Sequence, residues 1–571
     1  MLKIKSQQGI GLIVFFLTVL AAGAMFFLST TNNDDNRISN ENDSTKALAQ
    51  AKAALLSYAV NYYETASTGG TPHAGRHGLL PCPESTDTIG SEGGEAISCG
   101  NGSPQINVNN LGRLPWKTLD LSPLKDASGE CLWYAVSGDF TNNPQAPMTN
   151  EDTPGMFQVF NEQANLEKGN TPENRIVAVV IAPGKPLSGQ NRRAADFVNG
   201  QSAPCKVLRQ NVDPTDYLDV FQGIDNAVVD STTQDSIHQF IMSNGINPNP
   251  ALNDRMITIT ANEIFTEIQK NPVQYANKFE ELGVALGQCL IEYANAVADQ
   301  TNAPEPEPET DPVYDDCMDN CYADCNSAQN LCLLTNTGPG KSDCRPPWAR
   351  CNQECRRSCG GAGGNSNNNN NGGGSGTARP LLPWPASINL DADYRIDNNY
   401  IDLDNAAEGH FGRLPYLTTF SQTALSAGDP DIFTNCSINN EMLTLWQNWK
   451  DHWFYVVGSN FSPSAVGTTL PVPCDDCPED SAGNKHAAIL IFAGTRTANQ
   501  LRRSVNIDPA TLPANSKAVL SNYLEGSNSA NYPDNTGNQN NRYGLNGVND
   551  RLFCINQDLT IATNPVTACS P

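Results

Sequence analysis

Seven short blocks recur in the same order along the 571-residue chain. The first series is ALLSYAV (within 53–60), GLLPCP (78–83), GRLPW (112–116), LWYAVSGDF (132–140), IVAVVIAPGKPLSGQNRR (176–193), DYL (216–218) and NDRMITIT (253–260). The second is CLIEYAN (289–295), PLLPWP (380–385), GRLPY (412–416), WFYVVGSNF (453–461), AAILIFAGTRTANQLRR (487–503), NYL (522–524) and NDRLFCIN (549–556). One block keeps even its internal spacing: Gly184, Gln190, Arg192 and Arg193 match Gly494, Gln500, Arg502 and Arg503. Chance does not order seven matches this way, so the chain is expected to hold two copies of one fold.

The blocks have a physical reading. WYAV, IVAVVIA, FYVV and AILIFA are short apolar runs rich in β-branched and aromatic residues, as expected of central strands; MITIT and LFCI supply a third strand per copy. Gly-Arg-Leu-Pro (112–115 and 412–415) reads as a turn that becomes extended before its proline. Ahead of the first strands, STKALAQAKAALLSYAVNYYE places Leu48, Leu55, Ala59 and Tyr62 on one helical stripe, with Ser44 as a suitable N-cap. The expected class is α+β, with each copy a helix followed by a small antiparallel sheet.

The N-terminus adds a membrane signal. MLKIKSQQG carries Lys3 and Lys5, and Ile10 to Leu28 run nineteen residues without a charge, long enough to span a bilayer. Lys on the leader side places that side in the cytoplasm. A conventional signal peptide cut near Ala21–Ala24 is the rival. A short basic leader ending in Gly and followed by an apolar helix resembles the class III signal of type IV pilins and pseudopilins. That resemblance implies cleavage between Gly9 and Ile10 by a prepilin peptidase, a helix that packs its second half on a sheet, and pilin or pseudopilin partners at the inner membrane. Val14 stands where the family usually has Glu, which implies a minor or tip component.

Between the copies, NAPEPEPETDP (302–312) is a stiff acidic spacer, and GGAGGNSNNNNNGGGSG (360–376) is a flexible linker. Eight cysteines lie between them, spaced C-x3-C-x3-C-x6-C and then in mirror image. On a helix the first four fall at about 0°, 40°, 80° and 60°, one narrow stripe, and the second four do the same. Two such helices folded together would bond Cys317–Cys359, Cys321–Cys355, Cys325–Cys351 and Cys332–Cys344; zinc on these thiols is the weaker alternative. The expected organisation is therefore leader 1–9, transmembrane helix and extension 10–43, first module 44–270, second-module helix 271–301, insertion 302–378 with its hairpin at 313–359, and the rest of the second module 379–571.

Composition narrows the function. Thirty-five basic against 61 acidic residues give a net charge of −26, which argues against binding a phosphate backbone. Eighteen cysteines suit an oxidising compartment, hence a periplasmic or surface body. No metalloprotease, serine-hydrolase, phosphate-loop or dinucleotide motif occurs, so no catalytic residue and no cofactor is expected. Gln190 with Arg192 and Arg193, and the Asn-Asp-Arg triplets at 253–255 and 549–551, could form an anion pocket; a structural salt bridge from Asp254 or Asp550 to an Arg is favoured. His73 and His77 read as a loop pair by chance. Cys474 and Cys477 suggest a local disulfide or a bond to Cys436. Asp391, Asp393, Asp397, Asp402 and Asp404, in the loop 389–405, lack the spacing of a calcium loop. The expected function is a minor or tip-proximal subunit of a type IV pilus or pseudopilus, with adhesion to a surface ligand as an added role open to it. A secreted or anchored enzyme with an unrecognised site, or a membrane-anchored binding module, is the alternative.

Overall fold

The computed structural model describes most of residues 35–301 and 381–569; residues 1–34, 302–380 and several shorter loops lie outside the described residues. The expected cleavage point at Gly9 and Ile10, the apolar run 10–28 and the eight hairpin cysteines fall there.

Helix α1 (Asp35–Thr68) spans 34 residues. Ala47, Leu48, Ala51, Leu55 and Ala59 form its buried stripe, at the three- and four-residue spacing that puts side chains on one helical face. Ser44 is not its N-cap, because the helix begins nine residues earlier; the Ser44 hydroxyl instead accepts the Ala127 amide at 3.0 Å.

A four-strand antiparallel ladder follows: β1 (Leu111–Arg113), β2 (Trp133–Val136), then β5 (Ile176–Ala182) and β7 (Arg255–Thr260). In the second half β8 (Phe411–Arg413), β9 (Trp453–Val457), β10 (Ala488–Phe492) and β11 (Arg551–Ile555) pair in the same order. The registers also agree. Gly112 faces Tyr134, which faces Val180, which faces Ile257; Gly412 faces Tyr455, then Leu490, then Phe553. Tyr134 donates its hydroxyl to the Pro81 carbonyl at 3.1 Å, and Tyr455 donates to Pro383 at 3.2 Å. The central strands β5, β9 and β10 are buried at every residue, which is why they read as continuous apolar runs rather than alternating ones.

The first half extends its ladder with β3 (Phe157–Phe160), β4 (Leu166–Lys168) and β6 (His238–Ile241); the second ends with β12 (Val566–Ala568) on β11. Three longer helices and a short one (Gly526–Ala530) complete the described body. Thr260 and Glu263 close a reciprocal capping box on α2 (Ala261–Gln269), so strand β7 passes straight into a helix. Helix α3 (Ala276–Thr301) crosses the second sheet at Gly283, where a Cβ would sit 2.3 Å from the Phe553 ring, so only glycine allows this approach. Helix α4 (Asn440–Trp449) is capped by the Asn439 side chain.

One apolar core joins all of this. Leu55 of α1, Ile264 of α2, Phe279 and Leu286 of α3 and Trp446 of α4 pack with Tyr134 and Val180 of the first sheet and with Tyr455, Leu490 and Phe553 of the second. The outward faces of the two sheets have separate smaller cores, around Trp133 with Tyr217 and around Phe454 with Tyr523.

The expected fold class is corrected in three respects. The described residues form a mixed α/β body in which sheets dominate, with the two copies sharing one core instead of standing as separate modules on a long helix. No helix among the described residues is long and apolar enough to cross a membrane; α1 itself opens on DNRISNENDSTK, too polar for hydrocarbon. The first sheet is not purely antiparallel, since β6 runs parallel to β3 with His238 opposite Phe157. The Gly-Arg-Leu-Pro turns are edge strands, because Arg113 and Arg413 are drawn inward onto aromatic rings.

Five disulfides staple the described residues: Cys82–Cys99, Cys131–Cys205, Cys289–Cys436, Cys474–Cys477 and Cys554–Cys569. Cys436 is thus taken by α3, which leaves Cys474 to its near neighbour.

Candidate functional site

The repeated polar residues come together in the same way in each half. Tyr217 lies between the guanidinium groups of Arg113 and Arg192, at 4.5 and 5.2 Å from its ring centre. Tyr523 lies between Arg413 and Arg502, at 4.8 Å from each. Both outer arginines point their donors at main chain. Arg192 bonds the carbonyls of Gly184, Asp216 and Tyr217, and Arg502 those of Gly494, Asn522 and Tyr523. Gln190 and Gln500 brace them at 2.9 and 3.1 Å. Carbonyl oxygens take up most of each fork, and the one carboxylate each meets belongs to the chain itself, Glu130 beside Arg192 and Glu151 beside Arg502, so neither is an open anion pocket.

Among the described residues Asp254 and Asp550 form no direct ion pair with an arginine, contrary to the favoured sequence reading. Asp254 accepts the Asp219 amide and the Asn226 side chain, each at 2.8 Å; Asp550 accepts the Glu525 amide at 3.0 Å and the Asn528 side chain at 2.9 Å. Burial raises both carboxyls above their ordinary range, Asp550 to about 6. These residues pin loops to the sheet. Arg255 instead reaches Thr45 on α1, and Arg551 reaches Glu280 on α3. Arg193, Arg503 and His73 lie outside the described residues. His77 is buried and stacks on Phe279, with ring centres 6.3 Å apart. Of the Asp-rich loop, Asp397 pairs with buried Lys450 at 2.6 Å; Asp402 is buried, and Asp391, Asp393 and Asp404 lie outside the described residues.

The halves differ in what covers the outer arginine. In the first, Glu130 stands 3.5 Å from Arg192 at a partly open rim. In the second, the loop 149–153 of the first half closes over Arg502. Glu151 accepts from Arg502 at 2.9 Å, from the Arg496 amide at 2.7 Å and from Gln269 at 3.2 Å. Asn150 donates to Asp451 and to the Asn448 carbonyl, and the Thr149 amide donates to the Asn448 side chain. Asp451 also receives Lys517 at 2.6 Å and the Tyr523 hydroxyl at 3.1 Å.

At the centre lies His452. Its Nδ1 is 2.9 Å from Asp451 Oδ1, and its Nε2 is 3.2 Å from Asp152 Oδ2 and 3.9 Å from Glu151 Oε1. The His452 and Asp152 side chains have no exposed surface. Apart from this 3.2 Å approach to each other, neither Nε2 nor either Asp152 oxygen has a hydrogen-bond partner. Burial opposes charge at all of these groups. At Asp451 it is outweighed by Lys517 and His452, which hold the carboxyl well below its usual range. At His452 it is outweighed by Asp451 and Asp152, which raise the imidazole. Burial prevails at Glu151, whose carboxyl is lifted in spite of Arg502. Glu151, Asp152 and His452 each offer one donor atom, all within 4.8 Å of one another, so they could hold a metal ion.

The sequence singled out none of Asn150, Glu151, Asp152, Asp451 or Lys517 for this cluster. Only the repeated Arg502 pointed to it. The chain matches no known protein family, no curated protein and no solved structure.

Proposed function

We propose that the chain is a structural subunit acting outside the cytoplasm, a minor or tip-proximal component of a prepilin-like filament, with other pilin or pseudopilin subunits and a prepilin peptidase as partners. The carrying observation is the order helix-then-ladder, present twice: α1 packs on the first ladder and α3 on the second, in one core. Disulfides and the matching loop-pinning bonds of Asp254 and Asp550 support a rigid body. We propose no catalysis, because the recurring arginines, glutamines and aspartates are engaged by main-chain and side-chain groups of the fold itself.

The test is processing and association. In cells with a prepilin peptidase, the mature chain should start at Ile10, Gly9→Val should keep the leader, and cross-linking should recover the chain with filament subunits. A start near Met25, or normal filaments lacking the chain after shearing, would reject the reading.

A further inference from the structure

We propose that Glu151, Asp152 and His452 bind a divalent transition-metal ion, Zn2+ by preference, which clamps the loop 149–153 of the first half onto the second sheet. The inference is independent of the filament reading, since it needs only the two halves to be docked.

Three observations converge on it. The first is spacing. Bonds of about 2.0–2.2 Å from one ion to N and O donors place neighbouring donors about 3.0–3.5 Å apart. His452 Nε2 and Asp152 Oδ2 stand 3.2 Å apart; Glu151 Oε1, 3.9 Å from Nε2, completes the set by closing a few tenths of an ångström and exchanging one of its bonds from Arg502 or the Arg496 amide for the ion. The second is direction. Nε2 and Asp152 Oδ2 are buried 3.2 Å apart and neither has another hydrogen-bond partner, which suits two donor atoms that share a third atom between them. The third is support. Asp451 holds the Nδ1 of His452 at 2.9 Å and is itself fixed by Lys517, Tyr523 and Asn150. A carboxylate behind a ligating imidazole sets its tautomer and leaves the Nε2 lone pair facing the ion.

Electrostatics leave room for an ion. Three carboxylates, Glu151, Asp152 and Asp451, are touched by two side-chain cations, Arg502 and Lys517. With a neutral imidazole one negative charge is unanswered, and either an ion or the proton that Asp451 and Asp152 favour on His452 would answer it. Arg413 lies behind the cluster and donates to the Asp451 and Lys517 carbonyls, not to a carboxylate. Lys517 lies 3.8 Å from Asp152 but bonds Asp451 at 2.6 Å, so it need not move. An imidazole with two carboxylates suits Zn2+ and its first-row neighbours; Ca2+ and Mg2+ take oxygen ligands. A proton on Nε2 is the rival for the same place.

The experiment uses the full chain produced in Co2+-supplemented minimal medium and purified without chelator or reductant. Elemental mass spectrometry should find about one Co2+ per chain. Visible d–d absorption should appear without thiolate-to-cobalt charge transfer, which separates this site from the cysteines of 317–359. Asp152→Asn should lose the ion and its absorption. Less than a tenth of an ion per folded chain, with both His452 ring nitrogens carrying protons by NMR, would overturn the proposal in favour of the proton. Thiolate bands, or an unchanged spectrum in Asp152→Asn, would place the ion elsewhere and overturn it too. If that variant fails to fold, the wild-type stoichiometry and spectrum still decide.

Discussion

Asn150 Nδ2 donates to Asp451 Oδ1 at 2.9 Å across 301 residues of chain, from a loop of the first half to the threshold of a central strand in the second. This bond and its neighbours bury the side chains of Asn150, Glu151, Asp152, Asp451, His452, Arg502 and Lys517 where two duplicated sheets meet. Removing one member of such a buried network costs more than the pair contributed, because its partner is left charged and dry.

Glu151→Ala should therefore destabilise the chain by about 3–5 kcal/mol, since Arg502 would keep its burial and lose its carboxylate. Urea denaturation followed by far-ultraviolet circular dichroism measures it. A loss below about 1 kcal/mol would mean that the loop does not hold the halves together.

The aromatic ring between two arginines gives a second expectation. Tyr523→Leu removes the ring face under both Arg413 and Arg502 and the hydroxyl bonded to Asp451 and Lys517. A loss of about 3–5 kcal/mol should result. Tyr523→Phe keeps the ring and should lose only about 1–2 kcal/mol, read from the same urea midpoints. Equal losses for the two variants would assign the effect to the hydroxyl and not to the stacked guanidiniums.

How much of this was legible beforehand follows from which forces leave a local trace. The central strands were legible because double-sided burial writes an apolar run, as in IVAVVIA. The pairing of the halves was legible as repetition, and Tyr134 and Tyr455 occupy equal registers. The docked loop was not. Glu151 and Asp152 sit in TNEDTPG, which reads as an ordinary polar loop, and nothing near them in sequence tells that Arg502 will cover them. Nor was the parallel strand β6 legible, because its residues HQFI are too few to show which neighbour they will choose. The Asp254 reading failed for a related reason: a carboxylate surrounded by main-chain amides carries no mark in sequence that separates it from one paired with arginine.

A third expectation concerns pH. Asp550 has its carboxyl raised to about 6 by burial, above the ordinary aspartate value of 3.8. The folded chain thus binds this proton more tightly than the unfolded chain, so stability falls as pH rises from about 4 to 6, by on the order of 3 kcal/mol. Below pH 4 both states are protonated and the penalty vanishes. Asp550→Asn carries no charge to bury, so its urea midpoint should lose this part of the pH slope and exceed the wild-type value at pH 7. A slope unchanged by the substitution would show that the group titrates normally.

The Cys289–Cys436 bond predicts a fourth result. It spans 147 residues and brackets the whole insertion. In the chain-entropy model a loop of that size stabilises by about 4–5 kcal/mol. A protease site placed within 360–376 and cut should yield one band on a non-reducing gel and two after reduction. The cut chain should keep its melting temperature within a few degrees until reductant is added. Two bands without reductant would mean that Cys289 and Cys436 are not bonded.

The docked loop also has a consequence in time. Asp152 is synthesised 300 residues before His452, and at about 5–20 residues per second that interval is about 15–60 s. Throughout it, the nascent first half presents an acidic loop whose receptor does not yet exist. The last step of its maturation therefore waits on translation of the second half, and a ribosome that stalls after residue 301 releases a product complete in its own sheet yet open along one face.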